Sequence, residues 1–111
     1  MIEKILYDYL TSALDVPVYA EEPEKPPKRY VRYEKTGAGS TDHISRSVIA
    51  VQSYGSSLLD TAEISHAVVT AMESIAELPE ICGCWLNTEN NFTDTATNRH
   101  RYQAVFEITH Y

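Results

Sequence analysis

A chain of 111 residues, 43% apolar and 23% charged, has the composition of one ordinary globular domain, long enough to bury a core without disulfide or metal staples. Its formal charge of −7 disfavours sequence-reading contact with DNA, which is itself a polyanion. It contains no run of about 20 apolar residues, which excludes a membrane-spanning helix.

In chain order, Ile2, Ile5, Leu6, Tyr9, Leu10 and Ala13 fall on one helical face, and Pro17 forbids continuation, so the spacing predicts a helix over residues 2–14. Acidic residues interrupt this apolar start and no small-residue cleavage site follows. It does not read as a signal peptide, and a cytosolic protein is expected. After a short extended piece, Pro17–Ala20, the segment Glu21–Lys28 packs three prolines and five charges into eight residues. That composition predicts a stiff solvated loop, with a Pro-rich recognition ligand as the competing reading. Tyr30–Lys35 alternates as a strand, with Val31 and Tyr33 on one face. Lys35–His43 is rich in Gly, Ser and Asp and reads as a flexible loop; no Lys follows its second Gly, so it is not a phosphate-binding loop. Ile44–Tyr54 reads as a strand whose centre, Val48–Val51, is apolar on both faces, which predicts a central place in a sheet.

Gly55–Ser57 breaks the chain before a second helix, for which Asp60 is expected to act as the cap. Ile64, Ala67, Val68, Ala71, Met72, Ile75 and Ala76 form its apolar stripe, and Pro79 ends it. A long hairpin closes the sequence. Ile81–Leu86 leads into the polar stretch Asn87–Asp94, Asp94–Asn98 supplies turn chemistry, and Arg101–Tyr111 returns. In the return strand Tyr102, Ala104, Phe106 and Ile108 are expected to face the helices. Two helices with one stripe each, around four main strands, predict an α+β domain over residues 1–111: a mostly antiparallel sheet with two amphipathic helices packed on one face.

The residues offer no catalytic, cofactor or metal constellation. The four histidines, His43, His66, His100 and His110, are scattered without metal-binding context. Cys82 and Cys84 lie two apart in a strand and are expected as reduced, buried thiols on one face. No Gly-x-Ser-x-Gly elbow is present, and Glu21 and Glu22 sit in a solvated loop rather than a pocket. Eight tyrosines against two phenylalanines suit subunit interfaces and half-buried strands alike. Small basic spots at Lys28, Arg29 and Arg32, and at Arg99, His100 and Arg101, pair with neighbouring copies or simply balance surface charge. The candidate interface residues are Arg29, Arg32, Asn90, Asn91, Asp94, Arg99 and Arg101. Arg99 and Arg101 are expected to lack partners within the chain.

The pattern resembles the tail terminator, or tail-completion, family of long-tailed bacteriophages and prophages. The resemblance spans nearly the whole chain. It rests on the Ile-Leu-x-x-x-Leu helix at 5–10, the Pro-containing connection into Tyr30-Val31-Arg32-Tyr33, and the strand Ser47–Tyr54. It continues in the helix after Ser57-Leu58-Leu59-Asp60 and the closing Tyr102–Thr109. It implies a structural protein rather than an enzyme, without cofactor. Such proteins form a ring, commonly of six, that caps the tail tube, stops its polymerisation and meets the head connector, while DNA passes through without specific binding. The implied location is the host bacterial cytoplasm during assembly and then the virion tail or neck. In this chain the Lys35–His43 loop is short and the Pro-rich loop acidic, so a docking surface built on those loops does not carry over. A head-closure or connector ring protein remains an alternative, as does a small dimeric α+β enzyme or ligand-binding module.

Overall fold

The computed structural model describes all residues, 1–111. Its strands are β1 (Val18–Tyr19), β2 (Tyr30–Thr41), β3 (Ile44–Tyr54), β4 (Ile81–Asn91) and β5 (Arg101–His110). Its helices are α1 (Ile2–Ala13) and α2 (Leu58–Glu73), followed by a 3-10 turn at Ile75–Glu77. The doubly apolar strand takes the middle of one five-stranded sheet ordered β1-β2-β3-β5-β4. Only β1 runs parallel to its neighbour; every other pairing is antiparallel. The predicted α+β class is the one observed.

Both helices cover the same face. Leu6 and Leu10 from α1, and Ile64, Val68 and Met72 from α2, share one core with Val31, Tyr33, Ile49, Val51, Ala104, Phe106 and Ile108. The strand residues in that set alternate along their strands, as residues on one face must. Hydrogen bonds from tyrosine hydroxyls tie helix to helix and sheet to helix. Tyr9 donates to the Ala71 carbonyl at 2.7 Å and Tyr33 to the Glu3 carbonyl at 2.7 Å. Burial, more than the nearby acids, pushes the Tyr33 hydroxyl up to about 12, so it stays a donor.

Several local expectations need correction. Lys35–Thr41 is not a loop: β2 runs through it, pairing from Ala38↔Ser47 to Thr41↔Ile44. Asp42 and His43 alone turn the chain, both at positive φ (52° and 68°), as a tight two-residue hairpin requires. Gly and Ser are weak strand formers, but the ladder with β3 overrides that preference. The cap of α2 is Ser57, not Asp60. The Ser57 hydroxyl accepts from the Asp60 backbone N–H at 3.1 Å. Asp60 sits in the first turn, where its carboxylate accepts from the Ser56 N–H at 3.0 Å and from Arg29 at 3.0 Å. The Ser56 N–H first, and then Arg29, holds that carboxyl below its usual range.

The buried stripe of α2 is also rotated from the expected one. Thr61, Ile64, Ser65, Val68 and Met72 are buried, while Ala67 and Ala76 are exposed. The helix start lies so close to the sheet that a Cβ on Gly55 would stand 2.7 Å from the Thr61 backbone nitrogen, and Ser65 donates to Glu89 at 2.6 Å. Thr61 therefore enters the stripe where backbone approaches backbone, and Ser65 where its hydroxyl reaches a carboxylate on β4. Ile5 and Tyr102, expected in the core, are only partly buried.

The cysteines do not share a buried face. β4 slips register between Ile81 and Gly83, and again between Leu86 and Thr88. The first bulge leaves Cys82 exposed while Cys84 is half-buried.

Replacing the buried Met72 with Ala is expected to cost about 2–5 kcal/mol in urea unfolding, whereas Ala67→Ser stays within about 0.5 kcal/mol. The opposite ranking would restore the stripe read from sequence. Asp60→Asn is expected to lower the melting temperature at neutral pH. The native carboxyl titrates below its unfolded counterpart, so its contribution is present above about pH 4 and fades as pH falls through the native value. The gap between wild type and variant should narrow on acidification, and a gap that widens would refute the assignment.

Candidate assembly surface

β1 and β2 are parallel, so the chain must return to the same end of the sheet between them. Ala20–Arg29 makes that return as a strap across the face opposite the helices. On that face, alternation places Tyr30 and Arg32 from β2, Gln52 and Tyr54 from β3, and Arg101 and Gln103 from β5. The Tyr30 ring stacks on Tyr54, with centroids 4.4 Å apart, and meets Tyr19 edge-on at 5.8 Å. The Arg99 guanidinium lies 4.5 Å over Tyr54. Glu22 of the strap holds this group together. Its carboxylate accepts from the Tyr30 hydroxyl at 2.7 Å, and lies 3.2 Å from Arg32 and 3.4 Å from Arg99. Arg32 and Arg99 also donate to Gln52 and to the Tyr30 hydroxyl respectively, and Gln52 donates to Gln103 at 2.9 Å. Burial first, and then the bond to Glu22, pushes the Tyr30 hydroxyl well above its ordinary value.

Of the candidate residues the structure brings Arg32 and Arg99 together at Glu22, and Asp94 against Arg99 through backbone bonds. Arg29 pairs instead with Asp60. Arg101 is not partnerless: it donates to the Phe92 carbonyl at 3.0 Å and stands 5.0 Å over the Phe92 ring. Arg99 is not partnerless either, since Glu22, Tyr30 and Tyr54 surround it. The remaining candidates shape the polar hairpin. Asn91 accepts from the Thr93 N–H and hydroxyl, at 3.1 and 2.6 Å. Asp94 exchanges backbone bonds with Arg99 and accepts from the Ala96 N–H at 3.0 Å. Bonds from Thr97 and then Ala96 hold its carboxyl below the usual range. Asn90 pairs with Gln103 in the ladder and is exposed. The sequence reading missed Glu22, Tyr30 and Tyr54. The available signal was that Tyr30 and Tyr54, at the start and end of their strands, would be directly opposed in a hairpin.

Two sheet edges are free. β4 has no neighbour on its outer side, and β1 covers β2 only at Val31 and Arg32, leaving the rest of β2 open. Trp85 and Leu86 on β4 are 55% and 43% exposed, and neither is offset by a nearby charge on the strand before Glu89. An open edge strand with exposed aromatic and aliphatic side chains is suited to contact with another chain. The long axis measures 45 Å against 25 and 24 Å.

Chemically reactive groups are sparse. No three His, Cys, Asp or Glu side chains gather closely enough to hold a metal ion. Burial pushes the Cys84 thiol up to about 11, which keeps it protonated and a poor nucleophile at neutral pH. No helix is long and apolar enough to cross a membrane.

No protein-family model matches this chain, and no curated protein does. Solved structures do match. A chain described as part of the virion of a native gene transfer agent particle superposes with a TM-score of 0.71, over 98% of this chain and 93% of that one, at 15% sequence identity. At that identity the likeness is one of fold.

Glu22→Gln removes the charge that two arginines share. It is expected to cost about 1 kcal/mol, because the carboxylate is partly solvated. It should also speed tryptic cleavage after Lys28 and Arg29, as the strap lifts more often. Unchanged cleavage would mean that the strap is held by something other than Glu22.

Proposed function

We propose that this chain is a structural protein of a phage-like virion, and that it caps the tail tube as a ring, stops tube polymerisation and joins tail to head. The observation that carries the reading is the whole-length fold likeness to a virion chain, 98% of one covering 93% of the other. It supports a virion component, and the tail-terminator resemblance of the sequence supports the finer role. The free outer edge of β4 and the open part of β2 are consistent with it. Ring contacts join unlike surfaces, and this protein has unlike edges. The ring is proposed to have six copies. Its other partners are the tail tube protein on one side and the head connector on the other. DNA passes through without specific binding, as a surface with a net charge of −7 would favour. Assembly is proposed to take place in the host bacterial cytoplasm, with the protein ending in the tail or neck of the particle.

The candidate interface is revised by the geometry. Asn90 and the exposed β4 side chains Trp85 and Leu86 are the cleanest probes, because Arg29, Arg32, Arg99 and Arg101 have partners inside the fold. In a phage or prophage deleted for this chain, electron microscopy should show tails of uncontrolled, excessive length, and the wild-type gene should restore uniform length. Trp85→Glu in the complementing copy should fail to restore it while keeping the melting temperature of the isolated protein within a few degrees. Normal tail length without the chain would overturn the capping role. Normal tails that fail to join filled heads would point to head closure.

A further inference from the structure

The charges of this molecule are unevenly spent. Six of its nine Lys and Arg side chains are ion-paired within the chain: Lys4, Arg29, Arg32, Lys35, Arg46 and Arg99. Lys25, Lys28 and Arg101 are left. Of the sixteen acids, only Glu3, Asp8, Glu22, Asp60 and Glu107 are paired with a cation. The surface therefore carries a large excess of unpaired carboxylate and very little unpaired positive charge.

Of these three only Lys28 lines a groove. Where the strap rejoins the sheet, Lys28, Tyr30, Tyr54, Ser56, Arg99 and His100 line an open groove of about 370 Å³. Glu22 already engages Arg99 and the Tyr30 hydroxyl, and Asp60 engages Ser56, which leaves Lys28 as the cation there that no carboxylate of the chain meets. The Nδ1 atom of His100 is buried there without a hydrogen-bond partner. An exposed ammonium beside tyrosine rings, with no carboxylate of its own chain on it, has the chemistry to hold a carboxylate on a short side chain. The far end of the sheet has the opposite character. There the register brings the β2–β3 turn beside the start of β4 and the end of β5. Asp42 stands in that turn and Glu80 immediately precedes β4; both are exposed, and neither is ion-paired.

We infer that the groove is a carboxylate-binding site for a second copy of this chain, and that it receives the acidic end, Asp42 and Glu80, of its neighbour. The inference rests on the reading of the chain as a self-assembling structural protein, and it specifies one contact of that assembly. Unlike charge at the two ends makes the contact heterologous, so each copy can both offer and accept, which is the condition for a closed ring. It also sets register, because a neighbour sliding along the sheet would bring its excess carboxylates against Glu21, Glu24 or Glu34 instead.

The test uses the full-length protein and reads self-association by sedimentation velocity at low and high salt, with thermal melts as the control for folding. Wild type should associate at low salt and dissociate as salt rises. Lys28→Glu should weaken association by about tenfold with an unchanged melt, since Lys28 is exposed and has no partner within the chain. Asp42→Lys with Glu80→Lys should weaken it similarly, and all three changes in one chain should restore it. Restoration by the triple variant is the expected result, because a merely destabilised chain cannot be rescued by further charge reversal at the other end. Association that ignores Lys28, or a loss that the reversal fails to restore, would overturn the assignment. So would a wild-type chain that stays monomeric at low salt and high concentration. Lys28-dependent binding of short duplex DNA with self-association untouched would show a phosphate site and overturn it too. None of these outcomes bears on tail length in the deletion strain, which tests the capping role separately.

Discussion

A strand that is apolar on both sides has to be covered on both sides. β3 imposes that condition on the whole molecule, with Ile49 and Val51 facing the helices and Ala50 facing away, all buried. The helix face meets it in the usual way, with two amphipathic helices and a continuous aliphatic core worth roughly 1.5–3 kcal/mol for each fully buried large side chain. The opposite face has no third helix to use. The chain lays the return from β1 to β2 over the Tyr30 end of that face, a segment forced to exist because those strands are parallel and forced to be irregular by Pro23, Pro26 and Pro27.

The two coverings differ in kind. The helix layer excludes water with aliphatic and aromatic side chains. The strap contributes few apolar atoms, so the second face is closed by stacked tyrosines and by one carboxylate serving a hydroxyl and two guanidinium groups. Glu22 and Arg99 each keep 41% of their side-chain surface in solvent, so each link is worth little alone and the group holds by the number of its bonds. Glu22 is therefore the residue through which loop, β2 and the β5 hairpin become one unit. It also explains why Arg99, which looked free in the sequence, is engaged: it is a counter-charge of a loop 77 residues away.

What is left on the outside follows from what was used inside. Most cations are consumed by internal pairing and most carboxylates are not, so the surface is acidic, with Lys28 left free beside the groove at one end. Strands are consumed at the centre of the sheet and not at its edges, so the edges stay open. Both remainders are directional, differing from one end or edge of the molecule to the other, and a directional surface favours head-to-tail contacts over two-fold pairing.

The sequence by itself determined the elements whose signal is periodic or compositional over many residues. The helix stripe of Leu6 and Leu10, the doubly apolar centre of β3 and the alternation of Ala104, Phe106 and Ile108 were legible because burial on a fixed period writes itself into neighbouring residues. So was the α+β class, which follows from two single-stripe helices around a sheet. Tertiary structure alone decided the rest. Lys35–Thr41 became a strand because β3 offered a ladder, against the preference of its glycines and serines. Cys82 left the core because a bulge shifted the period by one residue. α2 turned its Thr61 and Ser65 inward because Gly55 and Glu89 came close. Arg99 and Arg101 found partners because the strap and Phe92 were folded against them. In each case the deciding atom belongs to a different element, and a contact between elements has no fixed spacing in the sequence from which it could be read.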